Sequence, residues 1–283
     1  MGTKMIEVDN LSFSYGRRKA KVLEGFSMNL DKGSVYGLLG KNGTGKSTLL
    51  YLMTGLLHPQ AGKVLYKGLD VKKRYPDALQ DMFLVPEEFV LPDISMKQYV
   101  KLNAPFYPHF SDELLKACLR DFDMSEDIHL GELSMGQKKK AFMCFALATN
   151  TSLLLMDEPT NGLDIPSKSQ FRKVIASGMS DEKAVIISTH QVRDIDSLLD
   201  HVLIMDGSEL LLNESVASIC DKLYFVEQGM NESVGDALYM QPSVQGYSVI
   251  LPNTYGEESK MNLEVLFNAM LAERVKMQAM FNR

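Results

Sequence analysis

Cysteine is scarce in this sequence: the three present, Cys118, Cys144 and Cys220, are scattered, odd in number and never in CxxC spacing. Neither a disulfide framework nor a zinc site can be built from them, and a reducing cytosol is the expected compartment. An excess of positive charge is also missing. Lys and Arg total 30 against 36 Asp and Glu, a formal net charge of −6, so no broad basic field exists to collect phosphodiester backbones. No nucleic-acid partner is expected. No uninterrupted apolar run approaches the roughly 18 to 20 residues that span a bilayer, and the opening segment MGTKMIEVDN has no apolar signal core. The chain is therefore not expected to cross a membrane by itself. Repeats, low-complexity tracts and heptads are absent as well, leaving no sign of a coiled-coil module.

What is present is alternation. Short β-like runs at Val35 to Leu39, Phe83 to Val85, Leu153 to Met156, Val185 to Ser188 and Val202 to Met205 recur between helical patterns, which predicts an α/β fold with a mainly parallel sheet. MIEVDNLSFSYG and KVLEGFSMNL instead alternate apolar and polar residues, the pattern of an antiparallel sheet beside that core. Between Glu88 and Ser134 the pattern becomes Pro-punctuated and helix-like, as in SDELLKACLRDF, and predicts a helical insertion. After about Leu212 a β-like stretch, GYSVILPN, leads into NLEVLFNAMLAERVKMQAMF, where Leu263, Leu266, Phe267, Met270 and Phe281 fit one helical face.

Chemistry enters at GKNGTGKS, Gly40 to Ser47, which follows an apolar strand and precedes the helix-like STLLYLMTGLL. This is the G-x-x-x-x-G-K-[ST] pattern in the context it requires. Its glycines let successive N–H groups turn inward as an anion nest, and the following helix N-terminus adds favourable partial charge. Gly40, Lys41, Asn42, Gly43, Thr44, Gly45, Lys46, Ser47 and Thr48 are the expected nucleotide contacts, with Lys46 on the β- and γ-phosphates and the Ser47 hydroxyl on Mg²⁺. SLLLMDEP, Ser152 to Pro159, is an apolar run ending in two acids, as a buried strand delivering carboxylates to its C-terminal end requires. Asp157 is expected to hold the Mg²⁺ and Glu158 to orient or deprotonate the attacking water.

LSMGQ, Leu133 to Gln137, resembles the signature motif that separates ABC ATPases from other phosphate-loop NTPases, and the order of the remaining motifs matches. The resemblance covers about residues 5 to 215 and implies a P-loop NTPase fold with a mainly parallel core sheet, an antiparallel β subdomain and a helical ABC-specific subdomain at about 88–150. Residues 1–214 would form the nucleotide-binding domain and 215–283 a small C-terminal α+β accessory region. Two such domains close head to tail around two ATP molecules, so Ser134, the Gly136 backbone and Gln137 would contact the nucleotide of a second ATPase subunit, identical or paralogous. Met135 stands where glycine is usual.

The resemblance further implies that Tyr15 stacks on adenine, that His190 hydrogen-bonds the γ-phosphate, and that Asp164, in Asn161-Gly162-Leu163-Asp164, couples the two sites. Glu87, in LVPEEF, occupies the position where glutamine is usual and would sense Mg²⁺ or water while adding negative charge. Lys138, Lys139 and Lys140 oppose the dipole of the helix they begin, and are expected either to face a partner's phosphates or acidic surface or to form a solvated face. The insert with FYPHF resembles subunits that serve separately encoded ABC-2-type exporter permeases. The implied function is an ATPase powering transport through an integral membrane permease, cytoplasmic and peripheral on the inner face of the membrane. A soluble ABC ATPase of cofactor assembly or another non-transport process is the alternative.

Overall fold

The computed structural model describes residues 4–16, 20–230, 235–244 and 246–281. The apolar runs pair into a six-stranded sheet in the order Glu209–Ser215, His201–Asp206, Ser34–Leu39, Ala184–Thr189, Leu153–Asp157 and Met82–Val85. All neighbours are parallel except the edge pair formed by the first two. Successive side chains of a strand point to opposite faces, so runs apolar at every position can be buried on both sides. Val185 and Ile187 accordingly join one apolar cluster with Leu154 and Met156, whereas Ala184 and Ile186 join another with Leu153 and Leu155.

The second cluster is closed by the antiparallel sheet, ordered Leu23–Leu30, Ile6–Phe13, Ala61–Tyr66 and Leu69–Asp70, and by the helix Lys46–Met53. The first is closed by the helical insertion, where Met96–Asn103, Asp112–Asp121 and Met135–Ala148 pack around Phe145 and Phe83. Ser95, Ser111 and Ser134 cap these helices, each accepting from a backbone N–H of the first turn. The α/β architecture, the antiparallel sheet and the helical insertion all match the sequence reading.

Beyond Ser215 the chain forms a short helix, Val216–Lys222, and an antiparallel sheet ordered Leu223–Gln228, Gly246–Pro252 and Tyr239–Ser243. The last segment is not one helix. It breaks at Glu273 (φ −116°, ψ 44°) into Leu263–Ala272 and Arg274–Phe281. The break separates the single expected face into two: Leu263, Leu266 and Met270 are buried by the first helix and Met277 by the second, while Phe267 and Phe281 are only partly covered. Among the described residues no helix is long and apolar enough to cross a membrane.

Candidate functional site

The strand Ser34–Leu39 delivers the chain to Gly40, and the helix Lys46–Met53 starts six residues later. A side chain at Gly40 would meet Thr44 Oγ1 at 2.7 Å and the Met205 carbonyl at 2.8 Å, so only glycine fits. Gly43 (φ 81°) and Gly45 (φ 97°) take the left-handed backbone that turns the loop. No side chain caps the helix, so its first-turn N–H groups can serve an anion. Lys46 is buried, with Nζ donating to the carbonyls of Gly40 at 2.8 Å and Lys41 at 3.3 Å. Burial pushes its ammonium pKa down, opposed by the carboxylates of Glu158, Asp157 and Glu87.

Those carboxylates arrive from the neighbouring strand ends. Asp157 closes Leu153–Asp157 and accepts a short hydrogen bond from Ser188 Oγ. Glu158 is buried and left-handed (φ 45°), a conformation a non-glycine residue keeps only when its surroundings impose it. Its Oε2 accepts from Thr189 Oγ1 at 3.0 Å, and its Oε1 lies 2.8 Å from His190 Nδ1 and 3.9 Å from Lys46 Nζ. A carboxylate so oriented beside a phosphate loop can take a proton from water.

Glu87 reaches the same place after Met82–Val85, accepting at Oε1 from Asn161 Nδ2 at 3.0 Å, whereas Glu88 is exposed. Tyr15 stands at the mouth, half exposed, its hydroxyl 3.0 Å from Thr48 Oγ1 and its ring edge-on to Phe13. Together with Asn42, Gly43, Gly45, Ser47 and Val22 these residues line a cleft of about 550 Å³. Ser47 and Glu87 bring hard oxygen donors to it, while Asp157 is buried at the adjoining strand end and does not line it. No cluster of three His, Cys, Asp or Glu side chains suited to a metal exists among the described residues, so a cation here would complete its shell with phosphate and water, as Mg²⁺ does.

Ser134, Gly136, Gln137 and Asp164 do not line this cleft, and neither do Gly40, Lys41, Thr44 and Asp157 among the expected contacts. Ser134 and Gln137 cap the helix Met135–Ala148 reciprocally: Ser134 Oγ accepts from Gln137 N at 3.3 Å, and Gln137 Oε1 accepts from Ser134 N at 3.0 Å. Asp164 Oδ1 caps Ile165–Gly178 through Ser167 N at 2.9 Å. Met135 is 64% exposed at the tip of the signature.

Of the lysine run, Lys139 departs from the expected solvent or partner role. Helical geometry turns Lys139 inward, where it is buried and donates to the carbonyls of Glu158 at 3.2 Å and Asn161 at 2.8 Å. Lys140 reaches Gln170 Oε1 at 3.4 Å and lies over the Phe122 ring. Sequence reasoning also missed Ser188 and Thr189, although their place just before His190 was a usable signal.

The family model described as ABC transporter matches residues 23–161. The ATP-binding protein YtrB of Bacillus subtilis is 26% identical over 270 residues, covering 93% of this chain and 91% of that one. The Nod factor export ATP-binding protein I of Burkholderia orbicola is 30% identical over 212 residues, covering 73% of this chain and 69% of that one. A solved structure entitled "Structure of ATP binding subunit of ABC transporter" superimposes with a TM-score of 0.67 at 23% identity, covering 76% of this chain and 91% of that one; at that identity it bears on the fold alone.

Proposed function

This chain belongs to the ABC transporter ATP-binding family, as a subunit that binds and hydrolyses ATP to power transport, and from that premise we propose that it drives export through a separately encoded membrane permease. The observation that carries the proposed chemistry is the clamped carboxylate of Glu158, held by His190 and Thr189 within 3.9 Å of Lys46.

ATP phosphates sit on the N–H groups of Gly40 to Thr48 with Lys46 against the β- and γ-phosphates, and Tyr15 stacks on the base. Ser47, Asp157 and Glu87 would hold Mg²⁺, which would neutralise charge on the phosphates. Glu158 accepts the proton of the attacking water, and His190 orients that carboxylate and faces the γ-phosphate.

Ser134, Gly136 and Gln137 stand outside their own chain's cleft, which supports a site completed by a second ATPase subunit, with Asp164 near the junction. Residues 1–214 carry this machinery, their helical subdomain meeting the permease, and 215–283 form an accessory unit that covers the core. The chain then sits at the cytoplasmic face of the membrane through its permease. The relatives serve both export and uptake, so the export reading rests on the insert with FYPHF and its likeness to subunits of ABC-2-type exporter permeases. The test is purification from native cells: a membrane permease should accompany the chain, and recovery in a complex of non-membrane proteins alone would replace transport by cofactor assembly.

A further inference from the structure

Lys139 is the one lysine of the signature run that turns inward, and its ammonium is bonded to the backbone of the loop carrying the proposed base. The carbonyls it reaches, those of Glu158 and Asn161, bracket the turn that leaves the strand Leu153–Asp157. On the other side of that turn the Asn161 amide donates to Glu87 Oε1 at 3.0 Å. Asn161 thus joins a buried cation to a carboxylate, its carbonyl accepting from the first and its side chain donating to the second.

The backbone explains why such a clamp is needed. Glu158 holds φ 45°, and its N–H donates to the Ser188 carbonyl at 3.0 Å while its carbonyl accepts from Lys139. Both peptide groups flanking the strained residue are therefore tied down, which aims the carboxylate into the cleft. Charge gives a second reason. Burial pushes the Lys139 ammonium pKa down, and the carboxylate of Glu87 is the largest influence opposing this, followed by those of Glu158 and Asp157. A buried ammonium without a facing carboxylate is costly, and so is a third carboxylate crowded against Asp157 and Glu158 beside a triphosphate.

We infer that Lys139 is a positioning residue for ATP hydrolysis: it fixes the segment Glu158 to Asn161 in its strained turn, and its charge is matched to Glu87 through Asn161. The inference deepens the proposed mechanism and rests on Glu158 being the base.

The test is a double-mutant cycle in the full chain, with Lys139→Met, Glu87→Gln and the double variant compared with the parent for ATP turnover and for affinity towards a fluorescent ATP analogue. Lys139→Met should lower kcat at least about tenfold with Kd changed less than about threefold, because the segment that moves holds the base and not the phosphate loop. Adding Glu87→Gln removes the unmatched carboxylate and should recover kcat at least about fivefold over Lys139→Met alone. Lys139→Gln, which keeps one amide donor without charge, should be milder and equally rescued, and it stands in if Lys139→Met does not fold. A kcat within about twofold of the parent, a loss carried by Kd, or no recovery in the double variant overturns the inference. Glu158→Gln is run alongside: wild-type turnover there would remove the base assignment, while the coupling between Glu87 and Lys139 is still read from the parent, the two single variants and the double variant.

Discussion

Glu158 and His190 are in direct contact, Oε1 to Nδ1 at 2.8 Å, and the second carboxylate oxygen is held by Thr189, the residue just before His190. The strand Ala184–Thr189 and the residue that follows it thus supply both groups that orient the acid just past the end of the neighbouring strand, Leu153–Asp157. Parallel pairing puts the two strand ends at one edge of the sheet, and from there the carboxylate faces Lys46.

Glu158→Gln keeps shape and hydrogen-bonding capacity but makes a far weaker base, so turnover should fall by about 10² to 10⁴-fold while ATP binding persists. ATP trapped in this way acts as an interfacial ligand, and light scattering with Mg-ATP should show a shift from monomer to dimer. Gly136→Asp added to it should undo the dimer by placing a carboxylate against the partner's γ-phosphate. The isolated fold has room for that change, because the nearest atom to a Cβ at Gly136 is the Gly162 carbonyl at 3.7 Å. An equally stable dimer with Gly136→Asp would mean the signature is not at the nucleotide.

Glu87→Gln restores the side chain usual at this position in the family, and glutamine can still accept the Asn161 amide through its own carbonyl oxygen. The ATPase rate should drop less than about tenfold, or roughly 1.4 kcal/mol of barrier. A loss of several orders of magnitude in a folded protein would assign the carboxylate a chemical role.

Tyr15→Ala removes the exposed ring at the mouth of the cleft and should weaken ATP binding by about 5- to 30-fold, the equivalent of about 1 to 2 kcal/mol of stacking. Tyr15→Phe loses only the hydroxyl contact to Thr48 and should cost less than about threefold in the same titration. If the two variants bind alike, stacking is not what Tyr15 contributes.

His201 carries a pH effect whose sign follows from its burial. Burial lowers its pKa below the ordinary histidine value, although the bond between Nε2 and Asn213 Oδ1 at 2.8 Å acts in the opposite direction. The unfolded chain therefore takes up a proton near pH 6.5 that the folded chain refuses until lower pH. Stability contributed by this group is complete above about pH 6.5 and declines as pH falls toward the folded pKa. Melting temperatures at about pH 7.5 and about pH 5.5 should differ less for His201→Gln than for the parent; an unchanged difference would show that His201 does not titrate on unfolding.

The order of strands and helices, the phosphate loop and the two acids were legible in the chain because each depends on short-range pattern: runs of apolar residues, glycines at fixed spacing, and acids at a strand end. Gly40 shows how local that signal is, since the contact excluding a side chain comes partly from Thr44, four residues on. His190, the signature and Glu87 were legible only through likeness to a family, as nothing in their own spacing dictates their chemistry.

Tertiary structure alone decided what Lys139 does. Three consecutive lysines look equivalent as a string, but a helix turns about 100° per residue, and only the middle one faces the loop of Glu158. The same holds for the break at Glu273, where an apparently continuous apolar face becomes two helices and Met277 finds its own buried place. Sequence determined which elements form and which chemical groups they carry; burial, crossing of chain segments far apart in sequence, and the charges those crossings bring together determined which groups meet. Those encounters link positions such as Glu87, Lys139 and Glu158, and no local pattern encodes them because their energies depend on neighbours supplied by separate strands and helices.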